Sequence, residues 1–441
     1  MKKYKKVIIF ILITITYLLI NLFVNQLQND EIWSYGFSYN IYKGLIPYKD
    51  YNMVITPFYP FFMSLIFHIF GGNQIIFQIE NAILLTITTL IVYKLIDKKI
   101  YLLGLLVIVF CNSITFPSYN VFLLMISIFL IYLEEEKKND YFIGFIIGLI
   151  FLTKQSIGIF MFLPSFYYYK DFKKIIKRFI GFLIPCIIFL LFLLFNNCLS
   201  EFLDLCLFGL FDFGEKNTAK FNFGYIVFIV YIIIDLLLII KDKKNINNYY
   251  ALAFSSMMIP LFDVHHSILS IVFLILVIMM QYDIKTKLNT KLIFYACLII
   301  ISIMVFNLNN NGMKIEYPNN INNFEYRFIR KDSIDFTNEV LEYMKNNKNR
   351  KFVFINSSAY YFRLASNERI TYLDLTNNGN YGYKGSKKII RDIKKNKDAI
   401  FFVFEEELGE NCQSDKESMK YVINNAKKIG SIKIFDIYEF E

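Results

Sequence analysis

Along the chain, long apolar runs alternate with short polar breaks as far as residue 308, after which the pattern changes. Apolar stretches fall at Val7 to Val24 and roughly at 75–95, 100–116, 118–133, 141–154, 155–169, 178–196, 222–240, 248–263, 266–280 and 291–308. A bilayer core is crossed by about 20 apolar residues, so these runs predict about eleven transmembrane helices. The segment Pro57 to Phe70, PFYPFFMSLIFHIF, is apolar but shorter, the length of a re-entrant or interfacial helix, with Pro57 suited to the first helical turn.

Composition agrees with this pattern. Hydrophobic residues make up 56% of the 441 positions, aromatic ones 18% and charged ones only 19%, more apolar surface than a soluble domain can hide. The six cysteines, Cys111, Cys186, Cys198, Cys206, Cys297 and Cys412, are too scattered to imply a disulfide or zinc framework. A net charge of +10 could suggest nucleic acid, but in a membrane protein the placement of charge matters more, and no nucleic-acid partner is expected. One set of loops carries twenty Lys and Arg, from the Lys2–Lys6 cluster to Lys285, Lys287 and Lys291; the opposite set carries five. The positive-inside rule makes the first set cytoplasmic. The N-terminus is then inside, and the loop from Asn25 to Gln74, with its interfacial helix at 57–70, lies outside. Counting 57–70 as a span would invert every later loop.

The tail from 309 to 441 is Asn-rich and charged, with short β-like runs at 352–355, 370–375, 400–404 and 432–440. Amphipathic helical patterns at 386–397 and 414–428 lie between them. Strands alternating with helices read as a small extracytoplasmic α/β domain following a membrane domain of residues 1–308.

Polar residues that interrupt the apolar pattern gather on the outer side. Asp30 and Glu31 follow the first span beside Trp33, the only tryptophan; they read either as an interfacial acidic pair with an aromatic belt or as a catalytic carboxylate and its helper. Lys154 and Gln155, in LTKQSIG, break two apolar runs at their outer turn. A lysine snorkelling to water competes there with an ammonium placed to hold a phosphate. Asp263, His265 and His266, in PLFDVHHSIL, read as a helix cap with interfacial histidines, or as hydrogen-bond donors to phosphate. Glu80, about one turn into its span, either lines the same cavity or pairs with a helix neighbour. Asp235, toward the inner end of its span, is expected to bond within the bundle or near Lys241. In the tail, LTNNGNYGYKG at 375–385 reads as a turn or as a backbone cradle for sugar or phosphate. No metal-ligand set assembles and no cofactor is evident, although a carboxylate could recruit a divalent ion.

These residues resemble the GT-C glycosyltransferases, polytopic enzymes that take sugar from a polyprenyl-phosphate donor. Their dolichyl-phosphate-mannose protein mannosyltransferase and bacterial lipid A aminoarabinose transferase groups are the nearest in pattern. The likeness rests on Asp30-Glu31, on YNIYKGLIPYKDY at 39–51, which contains Tyr48, on the Pro-aromatic segment ending at Phe70-Gly71, and on the stretches around Lys154 and Asp263. It implies a GT-C-like fold with interfacial helices in the first outer loop and Asp30 as the catalytic carboxylate; with Asp30 as base, attack from the face opposite the leaving phosphate would invert the anomeric centre. It also implies a substrate-binding set of Lys154, Gln155, His265, His266, Tyr48 and Glu80 around a polyprenyl-phosphate sugar donor and a glycan, lipid or protein acceptor, in the bacterial cytoplasmic membrane. Near Glu80 the family pattern has a basic residue instead. The competing readings are a flippase or transporter of lipid-linked sugars, against which no inverted repeat appears, and a non-catalytic partner in cell-envelope assembly.

Overall fold

The computed structural model describes residues 2–24, 29–96, 116–168, 171–217, 221–281, 315–316, 318, 321–327, 329–405 and 414–441. Helix α1 (Lys2–Val24) is followed by α2 (Asn29–Tyr42) and α3 (Phe58–Phe70), then α4 (Gln74–Leu95), α5 (Tyr119–Glu135), α6 (Asp140–Phe151), α7 (Gln155–Phe162) and α8 (Pro164–Tyr168). Next come α9 (Phe172–Phe195), α10 (Leu199–Leu203), a π turn at Asp204–Phe208, α11 (Gly209–Asn217), α12 (Phe223–Lys241), α13 (Ile246–Phe254) and α14 (Val264–Gln281). Four of these, α4, α9, α12 and α14, are long and apolar enough to cross a membrane. The expected spans at 100–116 and 291–308 lie almost wholly outside the described residues.

Two expected spans are broken. The run at 155–169 divides into α7 and α8 because Pro164, at the first position of a new helix, lacks the N–H that would continue the old one. The run at 248–263 is helical only to Phe254, continues as a 3₁₀ turn over Ser255–Met258, and then opens into a loop.

Polar pairs fix the directions of the helices. Thr14 meets Thr86 and Tyr17 meets Thr89, joining α1 to α4. Lys94, in the last turn of α4, bonds Glu136 just past α5. Glu134, Asp140, Arg178 and Tyr250 meet at that same end of the bundle, and the first loop, Lys154 and Asp263 sit at the other. Helices α6 and α9 pack side by side at glycines: a Cβ on Gly144 would strike the Arg178 backbone, and one on Gly181 would strike that of Tyr141. Helix α3 packs along α2, its first N–H donates to Leu152 O at 2.7 Å, and it exposes Leu65, Ile69 and Phe70.

The C-terminal region has a two-stranded ribbon, β1 (Ile315–Glu316) with β2 (Ile329–Arg330), then α15 (Lys331–Asn346), β3 (Phe352–Ile355), α16 (Ala359–Ser366), α17 (Gly385–Lys395), β4 (Ile400–Val403), α18 (Lys416–Asn425), β5 (Lys427–Ile432) and β6 (Phe435–Glu439). The main sheet runs β3-β4-β6-β5, with β3 parallel to β4 and the other pairs antiparallel. The expected strand at 370–375 is instead a 3₁₀ turn at Tyr372–Asp374. The Asp374 carboxylate accepts from the Thr371 N–H and hydroxyl and from Arg363, closing the backbone on itself where a strand would have needed a partner.

Asp235 also departs from expectation: it is fully buried, and among the described residues neither carboxylate oxygen has a hydrogen-bond partner.

Candidate functional site

At the end of the bundle that carries the first loop, four elements converge on Asn120. This residue lies in the first turn of α5, a helix capped by Ser118, whose hydroxyl accepts from the Val121 N–H. One Asn120 N–H donates to Asp30 Oδ2 at 2.9 Å, the amide nitrogen also stands 3.4 Å from His266 Nε2, and Asn120 Oδ1 accepts from Lys154 Nζ at 3.1 Å. The lysine ammonium fixes which way the amide points, since only the oxygen can accept from it.

Each partner is positioned in turn. Ser34 accepts from the Tyr119 N–H at 3.1 Å and donates to the Asp30 carbonyl at 2.6 Å, which ties the start of α2 to the start of α5. Asp263 accepts from the His266 backbone N–H at 2.8 Å and faces its Nδ1 at 2.7 Å. The carboxylate therefore holds the proton on Nδ1 and leaves Nε2 as the acceptor toward Asn120. Burial alone would raise the Asp263 carboxyl, but the hydrogen bonds from the His266 side chain and backbone outweigh it and hold it well below the usual carboxylate range. The result is a chain running Asp263, His266, Asn120, Asp30, with Lys154 on its flank.

Lys154 caps α7 between two helices, and its ring neighbour is Tyr119 at 5.7 Å. Its contacts are the Asn120 oxygen and Met257 Sδ at 3.9 Å, and among the described residues no carboxylate lies within ion-pair distance. Burial pushes its ammonium down to about 8, although Asp30 and Asp263 pull the other way. His265 stacks on Phe116 at 5.0 Å, and its buried Nε2 has no hydrogen-bond partner among the described residues.

Four expected site residues lie apart from this cluster. Glu31 points away from Asp30, as adjacent helical positions must, into a buried pair with Arg327 of the C-terminal region. It also accepts from Gln74 and Gln78, each at 2.6 Å. Glu80 accepts from Tyr59 of α3 at 3.3 Å and is buried. The Tyr48 hydroxyl donates to Ile55 O at 2.8 Å, and its ring packs edge-on against Phe202. Both N–H groups of Gln155 are spent on backbone carbonyls, Val54 O at 3.1 Å and Cys206 O at 3.0 Å.

The loop at 375–385, read as a turn or as a backbone cradle, has backbone N–H groups taken by side chains of the protein itself. Asp212 of α11 accepts from the N–H groups of Lys384 and Gly385 at 3.0 Å each, and Asp204 pairs with Lys388. A cavity of about 460 Å³ in the C-terminal region, lined by Arg350, Arg369, Tyr372, Tyr381 and Asp392, contains none of the expected site residues.

Asn120 and Arg327 carry no motif. The sequence signal for Asn120 is the polar break FPSYN opening an apolar run, the same signature that marks Lys154 and Asp263. Arg327 lies in a polar tail where one more arginine is unremarked.

No protein-family profile matches the chain, and no curated protein matches it by sequence. Two solved structures match in three dimensions: ArnT from Cupriavidus metallidurans in the apo state, with a TM-score of 0.58 and 8% identity, and the same protein bound to undecaprenyl phosphate, at 0.58 and 9%. The likeness covers 99% and 98% of this chain and 98% of each of the others. At such low identity it is the fold that is shared, end to end: a largely helical architecture like that of ArnT, with a strand-containing C-terminal region.

Proposed function

We propose that this protein is a membrane glycosyltransferase that moves a sugar from a polyprenyl-phosphate donor to an acceptor hydroxyl on the outer face of the bacterial cytoplasmic membrane. The observation that carries the reading is Lys154, a partly buried cation with no carboxylate in ion-pair distance among the described residues, held 3.1 Å from the amide that also holds Asp30. A lone ammonium in such surroundings is costly unless an anion completes it, and a lipid phosphate supplies that anion. The bound undecaprenyl phosphate of the similarly folded ArnT fits the same chemistry.

In this mechanism Asp30 accepts the proton of the acceptor hydroxyl as its oxygen bonds the anomeric carbon. The bond from that carbon to the phosphate oxygen breaks, and its electron pair leaves with the phosphate. Lys154 and the free ring nitrogen of His265 stabilise the charge that builds there. Attack opposite the leaving group inverts the anomeric centre. Asn120 and His266, backed by Asp263, orient the base. Glu31 acts at one remove: its pair with Arg327 fixes α2, and hence Asp30, against the C-terminal region.

Incubating the purified protein with labelled polyprenyl-phosphate sugars tests the proposal. A transferase releases free polyprenyl phosphate in step with acceptor glycosylation. A transporter or assembly partner leaves the donor intact, and that result would remove the reading.

A further inference from the structure

Segment 199–217 joins α9 to α12 and has two faces of opposite character. On one, Gly209 lies against Gly382 and Phe213 against Gly379, so that a Cβ on either tail glycine would collide. Asp212 and Asp204 bond the tail as described above, Lys216 reaches Asp415 at 3.0 Å, and Asn217 donates to Asn378 O at 2.8 Å. These contacts go to the C-terminal region, while Phe202 and Cys206 of the same segment pack on Tyr48 and the first loop. The other face presents Leu207, Phe208, Leu210 and Phe211, the last 73% exposed.

Four large apolar side chains on one turn of chain, bare to solvent, form the kind of patch that a soluble surface avoids. The flanking helix ends are apolar and exposed as well: Phe195 closes α9, Phe223 opens α12, and Phe221 lies just before it. Both helices are long and apolar enough to cross a membrane, so the segment between them lies where they leave the hydrocarbon. A short helix with an apolar face at that depth is seated in the headgroup boundary. We propose that 199–217 lies in the interfacial layer with its apolar face against lipid, and that its opposite face pins the C-terminal region to the membrane at that depth. The partner is the lipid surface; a second copy of the chain is the rival occupant.

The test uses the single tryptophan. In a Trp33→Phe background, Phe211→Trp is reconstituted into phosphatidylcholine and phosphatidylglycerol vesicles with and without brominated acyl chains. Phe208→Trp serves if the first variant does not fold, and Ile429→Trp, exposed on the edge strand of the C-terminal sheet, reports a site in water. The expected result is blue-shifted emission from position 211 or 208 that brominated lipid quenches, with position 429 unquenched. Water-like emission that ignores brominated lipid overturns the proposal, as does emission that follows protein density instead of lipid. The docking half is read separately: Asp212→Ala should expose 376–385 to limited proteolysis in vesicles, and unchanged cleavage refutes it.

Discussion

At one end of the bundle Arg178 is matched by Glu134 at 2.5 Å and Asp140 at 2.9 Å, and Tyr250 closes the remaining side of Glu134 at 2.6 Å. At the other end Lys154 has an amide oxygen and a thioether, with its nearest carboxylates beyond ion-pair reach. Both knots tie several helices together, and both remove cations from water. They differ in closure. The Arg178 knot answers a buried charge with charge, as a structural staple must. The Lys154 knot leaves a cation, an unpartnered imidazole nitrogen and a carboxylate with one oxygen occupied, the condition expected where a ligand completes the electrostatics.

The largest effect that can break this contrast is at Asp30. Asp30→Asn keeps the volume and most hydrogen bonds but cannot take a proton. Positioned bases contribute about 10²- to 10⁴-fold, so turnover should fall by that factor while the variant folds and inserts normally. Near-normal turnover, measured as polyprenyl phosphate released per enzyme, would put the chemistry elsewhere.

Much of this end of the molecule was legible in the sequence, because a charged or polar residue breaking an apolar run is expensive and therefore conspicuous. Asp30, Lys154, Asp263 and His266 were found that way, and the structure brings three of them around one amide, with Asp263 behind His266. The amide itself was not found. Asn120 reads as part of a helix start, and nothing in a linear sequence says that its side chain meets three others drawn from α2, from the α6–α7 turn and from α14. Glu31, Tyr48 and Gln155 were legible as polar residues at the correct end, but their partners are backbone carbonyls or a tail arginine, which only the folded chain brings near. The turn at Tyr372–Asp374 was misread for a related reason: its alternation suits a strand until the Asp374 side chain captures the local backbone.

The second effect tests the closed knot. Arg178→Met strips the cation and leaves the buried Glu134 without its counter-charge, a change that costs about 3–5 kcal/mol. Denaturation in detergent should show that loss, whereas the fraction that remains folded should keep its donor KM and its rate. A selective loss of rate without a loss of stability would mean that the two knots are not different in kind.

Lys154 comes third. Removing one charge-assisted hydrogen bond costs about 1.5–3 kcal/mol, so Lys154→Ala should raise the donor KM by about 10- to 100-fold and leave the acceptor KM nearly unchanged. Burial holds its ammonium near 8 in the free protein, while Asp30 and Asp263 favour the charged form. Only the charged form binds phosphate, so kcat/KM for the donor should fall as the pH rises through about 8. A bound phosphate raises the ammonium's pKa, so the same limb in kcat should lie higher. Lys154→Arg, always charged, should abolish the limb; a limb that persists belongs to another group.

The smallest effect sharpens the boundary of the site. Gln155 adjoins Lys154 in sequence and was expected to share its ligand, yet both of its N–H groups hold backbone carbonyls, one in the first loop and one in the π turn before α11. If that is its whole role, Gln155→Met leaves two carbonyls unpaired and lowers stability by about 1–3 kcal/mol, with the donor KM unmoved. If Gln155 instead gives up a carbonyl to reach the phosphate or the sugar, the donor KM rises along with that of Lys154→Ala, and the double variant shows less than the sum of the two. The two outcomes separate a residue that shapes the loop from one that touches the substrate, which proximity along the chain cannot do.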